Sequence, residues 1–115
     1  MKPKSPFHGA VIPLVTPVTP TGDLDEAALD RLLEFQIAGG VEGIFVLGTT
    51  GEGPSVPRAA RLRLVQRTVA KRQNRAQVYA VIGDQCLADS ALAAQEYFRA
   101  GVDAVVHLAG ETIAG

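Results

Sequence analysis

Four short runs rich in Val and Ile are separated by three longer stretches of helical periodicity, and this alternation restricts the fold more than any other feature of the chain. Residues 9–16 read as a first strand, in which Pro13 marks a bulge or an edge. Pro17, Pro20 and Gly22 form a loop. Asp23 and Asp25 are both candidate caps for a helix over 26–38, with Leu29, Leu32 and Leu33 as its buried stripe. Gly39-Gly40 ends that helix. A second strand covers 43–47. A second helix covers 57–72, with Pro57 in its first turn and Leu62, Val65 and Val69 on one face. A third strand covers 77–82. A third helix covers 88–100, with Ala91, Leu92, Gln95 and Phe98 on its inner side. Gly101 stops it, and a fourth strand follows near 103–108.

The order β-α-β-α-β-α-β argues for a parallel sheet covered by helices. An internal repeat supports it: Ala38-Gly39-Gly40-Val41-Glu42-Gly43-Ile44 resembles Arg99-Ala100-Gly101-Val102-Asp103-Ala104-Val105. Each copy is a helix end, a glycine, Val, an acid, a small residue and then a strand. Units of this length fit a (β/α)8 barrel at least as well as an open sheet. A complete barrel needs roughly 250 residues, and 115 supply about half.

Charged residues make up 20% of the chain and the formal net charge is −1, so nothing overall points to nucleic acid or an anionic membrane. The lone cysteine, Cys86, has no internal disulfide partner, which suits an intracellular, cytoplasmic protein. The start of the chain lacks the pattern of a signal peptide, and no apolar run approaches membrane-spanning length.

The chemistry concentrates in Gly48-Thr49-Thr50-Gly51-Glu52, directly after the second strand. In a parallel α/β protein, ligands bind at the carboxyl ends of the strands. Gly48 and Gly51 permit close approach of the backbone to a ligand. Thr49 and Thr50 offer hydroxyls and amide N–H groups to an oxyanion or carboxylate. The competing reading is a Gly/Thr turn that only caps the next helix.

Together with Val15-Thr16-Pro17 and Gly39-Gly40-Val41, that motif resembles the dihydrodipicolinate synthase / N-acetylneuraminate lyase family. Helix three and Ala100-Gly101-Val102-Asp103-Ala104-Val105 fit the same pattern, so the resemblance runs from about residue 8 to 106. It implies an α/β fold of the (β/α)8 TIM barrel family. Residues 1–115 would form about the first half of that domain, and a truncated one. It also implies a lyase or aldolase in which a lysine on a later strand forms a Schiff base with pyruvate or another 2-oxo acid. By the same resemblance Thr49 belongs to a catalytic hydroxyl relay, and Thr50, with Gly48 and Gly51 beside it, holds the substrate carboxylate. No metal and no organic cofactor is implied, because the lysine is the electron sink. Homo-oligomers, commonly tetramers, are expected from the family.

The sequence also departs from the family pattern. Its lysines are Lys2, Lys4 and Lys71, and none is placed as the nucleophile, so the segment alone is expected to be inactive. Where the family has a Pro-Tyr-Tyr-Asn-like segment, this chain has His107-Leu108-Ala109-Gly110. Gly83-Asp84-Gln85 retains only the glycine of the usual turn after strand three. Val56-Pro57-Arg58-Ala59 lacks the capping hydroxyl and acids usual at the start of helix two. The doubled threonine leans toward the synthases, since sialic acid lyases usually place serine before threonine. Two alternatives stand beside the lyase segment: a half-barrel that pairs with another chain, and a small anion-binding module without catalysis.

Other candidates each have a plainer reading. Glu52 suits a helix start as well as a substrate loop. Arg58, Arg61, Arg63, Arg67, Lys71 and Arg72 make helix two basic, which reads as a solvated outer face rather than a surface for an anionic partner. His107 lies at the ligand-binding end of strand four, where an acid–base role competes with a structural one. Asp84 is a cap or a substrate contact. Cys86 reads as an inert thiol, and His8 suggests nothing.

Overall fold

A computed structural model describes residues 11–48, 56–73, 75–82 and 87–107. The order is β1 (Val11–Pro13), α1 (Glu26–Ala38), β2 (Gly43–Val46), α2 (Arg58–Arg72), β3 (Gln77–Ile82), α3 (Leu87–Ala100) and β4 (Ala104–His107). All strands are parallel, in the sequential order β1-β2-β3-β4. An unbroken sequential order is what successive βα units give when a sheet winds one way toward a barrel. It lacks the reversal of strand order that characterises an open doubly wound sheet.

Local chemistry explains the element boundaries. Asp25 is the cap that α1 uses: its carboxylate accepts the Ala28 N–H at 3.0 Å. Thr19 holds Asp23 in the preceding loop instead, through the Asp23 N–H at 3.2 Å. The two copies of the internal repeat end their helices in the same way. Gly40 and Gly101 take φ of +88° and +111°, and the next residue reaches back five positions. Val41 N–H donates to Gln36 O at 3.5 Å, and Val102 N–H donates to Tyr97 O at 3.2 Å. A side chain at either glycine would strain that left-handed turn. Pro57 caps α2 without a side-chain hydrogen bond, as the missing hydroxyl implied.

Pro13 is accommodated because β1 pairs on one side only among the described residues. Leu14 N–H donates to Phe45 O at 2.9 Å, so the alternation directs position 13 to the unpaired side, where no donor is needed.

Ile44, Val46, Val78 and Ala80 are almost completely buried on the helix-covered face of the sheet. Leu29, Leu33 and Ile37 of α1 pack into the same core, with Leu64, Val65 and Thr68 of α2. Two stripes differ from the sequence expectation. On α2, Val65 is fully buried as expected, but Leu64 and Thr68 are buried beside it, and Leu62 and Val69 are only partly buried. The Thr68 hydroxyl is no obstacle, since it donates to Leu64 O at 2.7 Å. On α3 the inner face is Ser90, Ala93 and Tyr97, whereas Leu92 and Phe98 are about half exposed. Small residues at 90 and 93 let that helix approach β3 and β4 closely, with Tyr97 filling the remaining space.

Candidate functional site

By register and alternation, Val11, Phe45, Tyr79, Val81 and Val106 share the face of the sheet turned away from the helices. Close packing ties this face together. A side chain at Gly43 would lie 2.8 Å from the Tyr79 ring and 2.9 Å from Val11. Burial, and secondarily the Asp103 carboxylate, push the Tyr79 phenol above its ordinary pKa. Its hydroxyl donates to Gln77 Oε1, so Tyr79 serves as a neutral packing residue at the amino end of the sheet.

At the carboxyl end, β2 delivers Leu47 and Gly48. Leu47 is 2% exposed and takes a φ of +65°, a left-handed conformation. Gly48 does not take it, although glycine would do so without cost. Gly48 is instead favoured sterically, because a Cβ there would lie 2.9 Å from the Phe45 ring. A left-handed leucine costs about 1–2 kcal/mol. Burying its side chain returns roughly 1.5–3 kcal/mol, enough to hold the conformation. The turn out of β2 is therefore set by packing beneath it. No local signal in the sequence marks Leu47, since local rules assign the positive φ to the neighbouring glycine.

Of the residues singled out from the sequence, Gly48 sits at the carboxyl end of the sheet as expected. Thr49, Thr50, Gly51 and Glu52 lie outside the described residues, as do Asp84, Cys86 and His8. His107 ends β4 opposite Ile82, on the helix-covered face with Val105 and Ala80, which favours its structural reading.

Four cations of α2, Arg58, Arg67, Lys71 and Arg72, and Arg75 just beyond it, meet acids on the flanking elements. Arg67 makes a two-pronged pair with Asp30 of α1, at 2.8 and 2.7 Å, and reaches Glu26 at 3.6 Å. Lys71 and Arg75 both approach Glu34, at 3.8 and 3.3 Å. On the other side Arg58 pairs with Glu96 and Asp89 of α3, and Arg72 pairs with Asp103. The Arg67 hydrogen bond holds the Asp30 carboxyl below its ordinary pKa, and Arg75 does the same for Glu34. The groove between α1 and α2, lined by Glu26, Asp30, Arg63, Arg67 and Lys71, thus has mixed and largely compensated charge. This is an interhelical seam rather than a docking site for an anion. Among the described residues no cluster of His, Cys, Asp or Glu could hold a metal ion, and no helix is long and apolar enough to cross a membrane.

Comparison with known proteins gives one consistent result. The model of the dihydrodipicolinate synthetase family matches residues 6–109. The 4-hydroxy-tetrahydrodipicolinate synthase of Acidiphilium cryptum is 38% identical over 100 residues, covering 87% of this chain and 34% of that protein. The dihydrodipicolinate synthase structure from Bacteroides thetaiotaomicron superposes with a TM-score of 0.82 at 40% identity, covering 89% of this chain and 34% of that one. YagE, an Escherichia coli K12 prophage protein of the dihydrodipicolinic acid synthase family, was solved in complex with pyruvate; it gives a TM-score of 0.83 at 27% identity, over 88% of this chain and 34% of its own. The chain thus spans about a third of the length of the curated relatives it matches. With these neighbours, the sequential parallel sheet is part of a (β/α)8 barrel rather than an open sheet.

Proposed function

Since this chain belongs to the dihydrodipicolinate synthetase family, we propose that it carries the carboxylate-binding end of a lyase that makes or breaks a C–C bond through a Schiff base with pyruvate. The observation that carries this reading is the end of β2, where Leu47 and Gly48 turn the chain out of the sheet at its ligand-binding end, immediately before Thr49-Thr50-Gly51. Thr50 and the adjacent amides hold the 2-oxo acid carboxylate, because fixed N–H and O–H donors suit a localised anion. Thr49 passes protons, since a hydroxyl both donates and accepts. Gly48 and Gly51 keep side chains out of the way of the substrate.

Within these 115 residues we assign no Schiff-base nucleophile. Lys71 lies on α2 beside Glu34, in the seam with α1 and away from the end of β2. A nucleophilic lysine needs its amine neutral and beside the substrate carbonyl. Self-association and a cytoplasmic location belong to the same reading and rest on the family alone.

Incubation with pyruvate and borohydride, followed by intact mass, tests the assignment. A lysine that formed a Schiff base would lose water with pyruvate and then take hydride at the imine carbon, leaving a stable secondary amine. We expect no such adduct on the 115-residue chain. A stoichiometric adduct would overturn the assignment. Pyruvate-dependent shifts of the amide signals at residues 48–51 are expected in the same chain, and their absence would sink the carboxylate-grip reading.

A further inference from the structure

We propose that the two open ends of this sheet are docking surfaces for the remaining βα units of a family barrel, and that a separate polypeptide carrying those units binds there. Burial along the sheet marks the ends. Strand β3 is buried on both faces from Val78 to Ile82, as befits a strand inside a helix-covered parallel sheet. All four residues of β4 are only half-buried, on both faces. Asp103 N–H donates to Val78 O, so by alternation the backbone groups of Ala104 and Val106 point to the other side, where β4 has no partner among the described residues. At the opposite end Val11 in β1 and Val15 just beyond it are exposed.

The end helices carry the same mark. Glu26, Asp30 and Glu34 of α1 and Asp89 and Glu96 of α3 all turn toward the cations on and beside α2. By helical spacing the opposite flanks present Ala28, Leu32 and Phe35 on α1, and Ala91, Ala94 and Phe98 on α3. Phe35 is 73% exposed and Phe98 51%. A helix built to end a layer in water would place charge on its outer flank; here the acids face inward and the outer flanks are apolar. Length and geometry identify the occupant. The structural neighbours are eight-stranded barrels, the described residues supply four strands, and the chain spans 34% of the Acidiphilium cryptum synthase. The rest of such a barrel brings both strands and helices to the two ends. A second copy of this chain fits less well, because its described residues bring a strand to β4 but no helix to lie against Phe98. Backbone pairing falls mainly on β4, since Pro13 faces the open side of β1 and offers no N–H there.

Co-expression tests this. The partner is the Acidiphilium cryptum synthase without the segment aligned to this chain, carrying an affinity tag, and the 115-residue chain is untagged. The two chains should co-purify in equal amounts and stay together on size exclusion. A partner that elutes alone, or stays insoluble with the chain present, overturns the proposal. Phe98→Glu and Phe35→Glu should each lower the recovered complex about tenfold. Neither should move the unfolding temperature of the 115-residue chain by more than about 2 °C, since both side chains are exposed. Leu92→Glu is the control: Leu92 is also about half exposed, but it lies on the side of α3 nearer Glu96, so recovery should not change. If Leu92→Glu weakens the complex as much as Phe98→Glu, the flank assignment fails. If the chain alone forms a dimer that Phe98→Glu separates, a second copy occupies that end and the proposal fails. Pyruvate and borohydride separate this claim from the function proposed above: a complex that forms but takes no adduct on the partner chain supports the docking and counts against the lyase reading.

Discussion

Replacing Asp103 with alanine should be among the most damaging single changes that this structure allows outside its apolar core. Asp103 immediately precedes β4, and its own N–H donates to Val78 O at 2.9 Å. Its carboxylate accepts the Val78 N–H at 2.8 Å, so the side chain closes the first ring of the β3–β4 ladder. The same oxygen takes the Arg72 guanidinium, whose other nitrogen donates to Gly101 O at 2.7 Å. One carboxylate therefore joins the end of α2 to the starts of two strands. Alanine at 103 would leave a strand N–H unpaired beside a fully buried valine, a loss of about 1–3 kcal/mol. The ion pair adds only about 0.5 kcal/mol, because Asp103 is about a third exposed and Arg72 keeps its carbonyl partner. The sum is about 2 kcal/mol, or roughly 8 °C in unfolding temperature for a chain of this size. Asp103→Asn retains an acceptor for Val78 and should lose only about 0.5–1 kcal/mol. Urea unfolding followed by circular dichroism at neutral pH measures both. If Asp103→Ala stays within about 0.5 kcal/mol of the unmodified chain, or Asn is as harmful as Ala, the ladder-closing argument is wrong.

Two further outcomes follow from the packing and the interhelical seam. Tyr97→Ser should cost about 3 kcal/mol or more, whereas Phe98→Ser should change stability by less than about 0.5 kcal/mol, so thermal melts of the two variants decide which face of α3 is inside. Asp30 and Glu34 titrate below their ordinary values of 3.8 and 4.5 in the folded chain, so the unfolded chain binds more protons and stability rises with pH through that range. Their contribution should be complete above those values and lost as pH falls below them. The unfolding midpoint should therefore drop in acid, and Asp30→Asn should flatten the drop; an unchanged slope in that variant would refute the role of the Arg67–Asp30 pair.

Element order, the cap at Asp25 and the glycine helix ends at 40 and 101 were all legible in the sequence. Each depends on residues within a few positions of one another: side-chain periodicity, a carboxylate three residues before an N–H, or a glycine where the chain reverses hand. Gly48 at the end of β2 was legible for the same reason, and so was the family. What sequence left undecided was set by residues distant along the chain. Helix α3 carries two apolar stripes of similar strength, and only contact with β3 and β4 selects Ser90, Ala93 and Tyr97 over Leu92 and Phe98. The basic face of α2 becomes a compensated seam because Asp30, Glu34, Glu96 and Asp103 come from elsewhere in the chain to meet it. The left-handed turn falls on Leu47 rather than Gly48 because the core gains more from burying the leucine than the backbone loses. Local rules govern backbone hand and helix ends, whereas burial, a property of the assembled chain, decides which face turns inward and where strain is held.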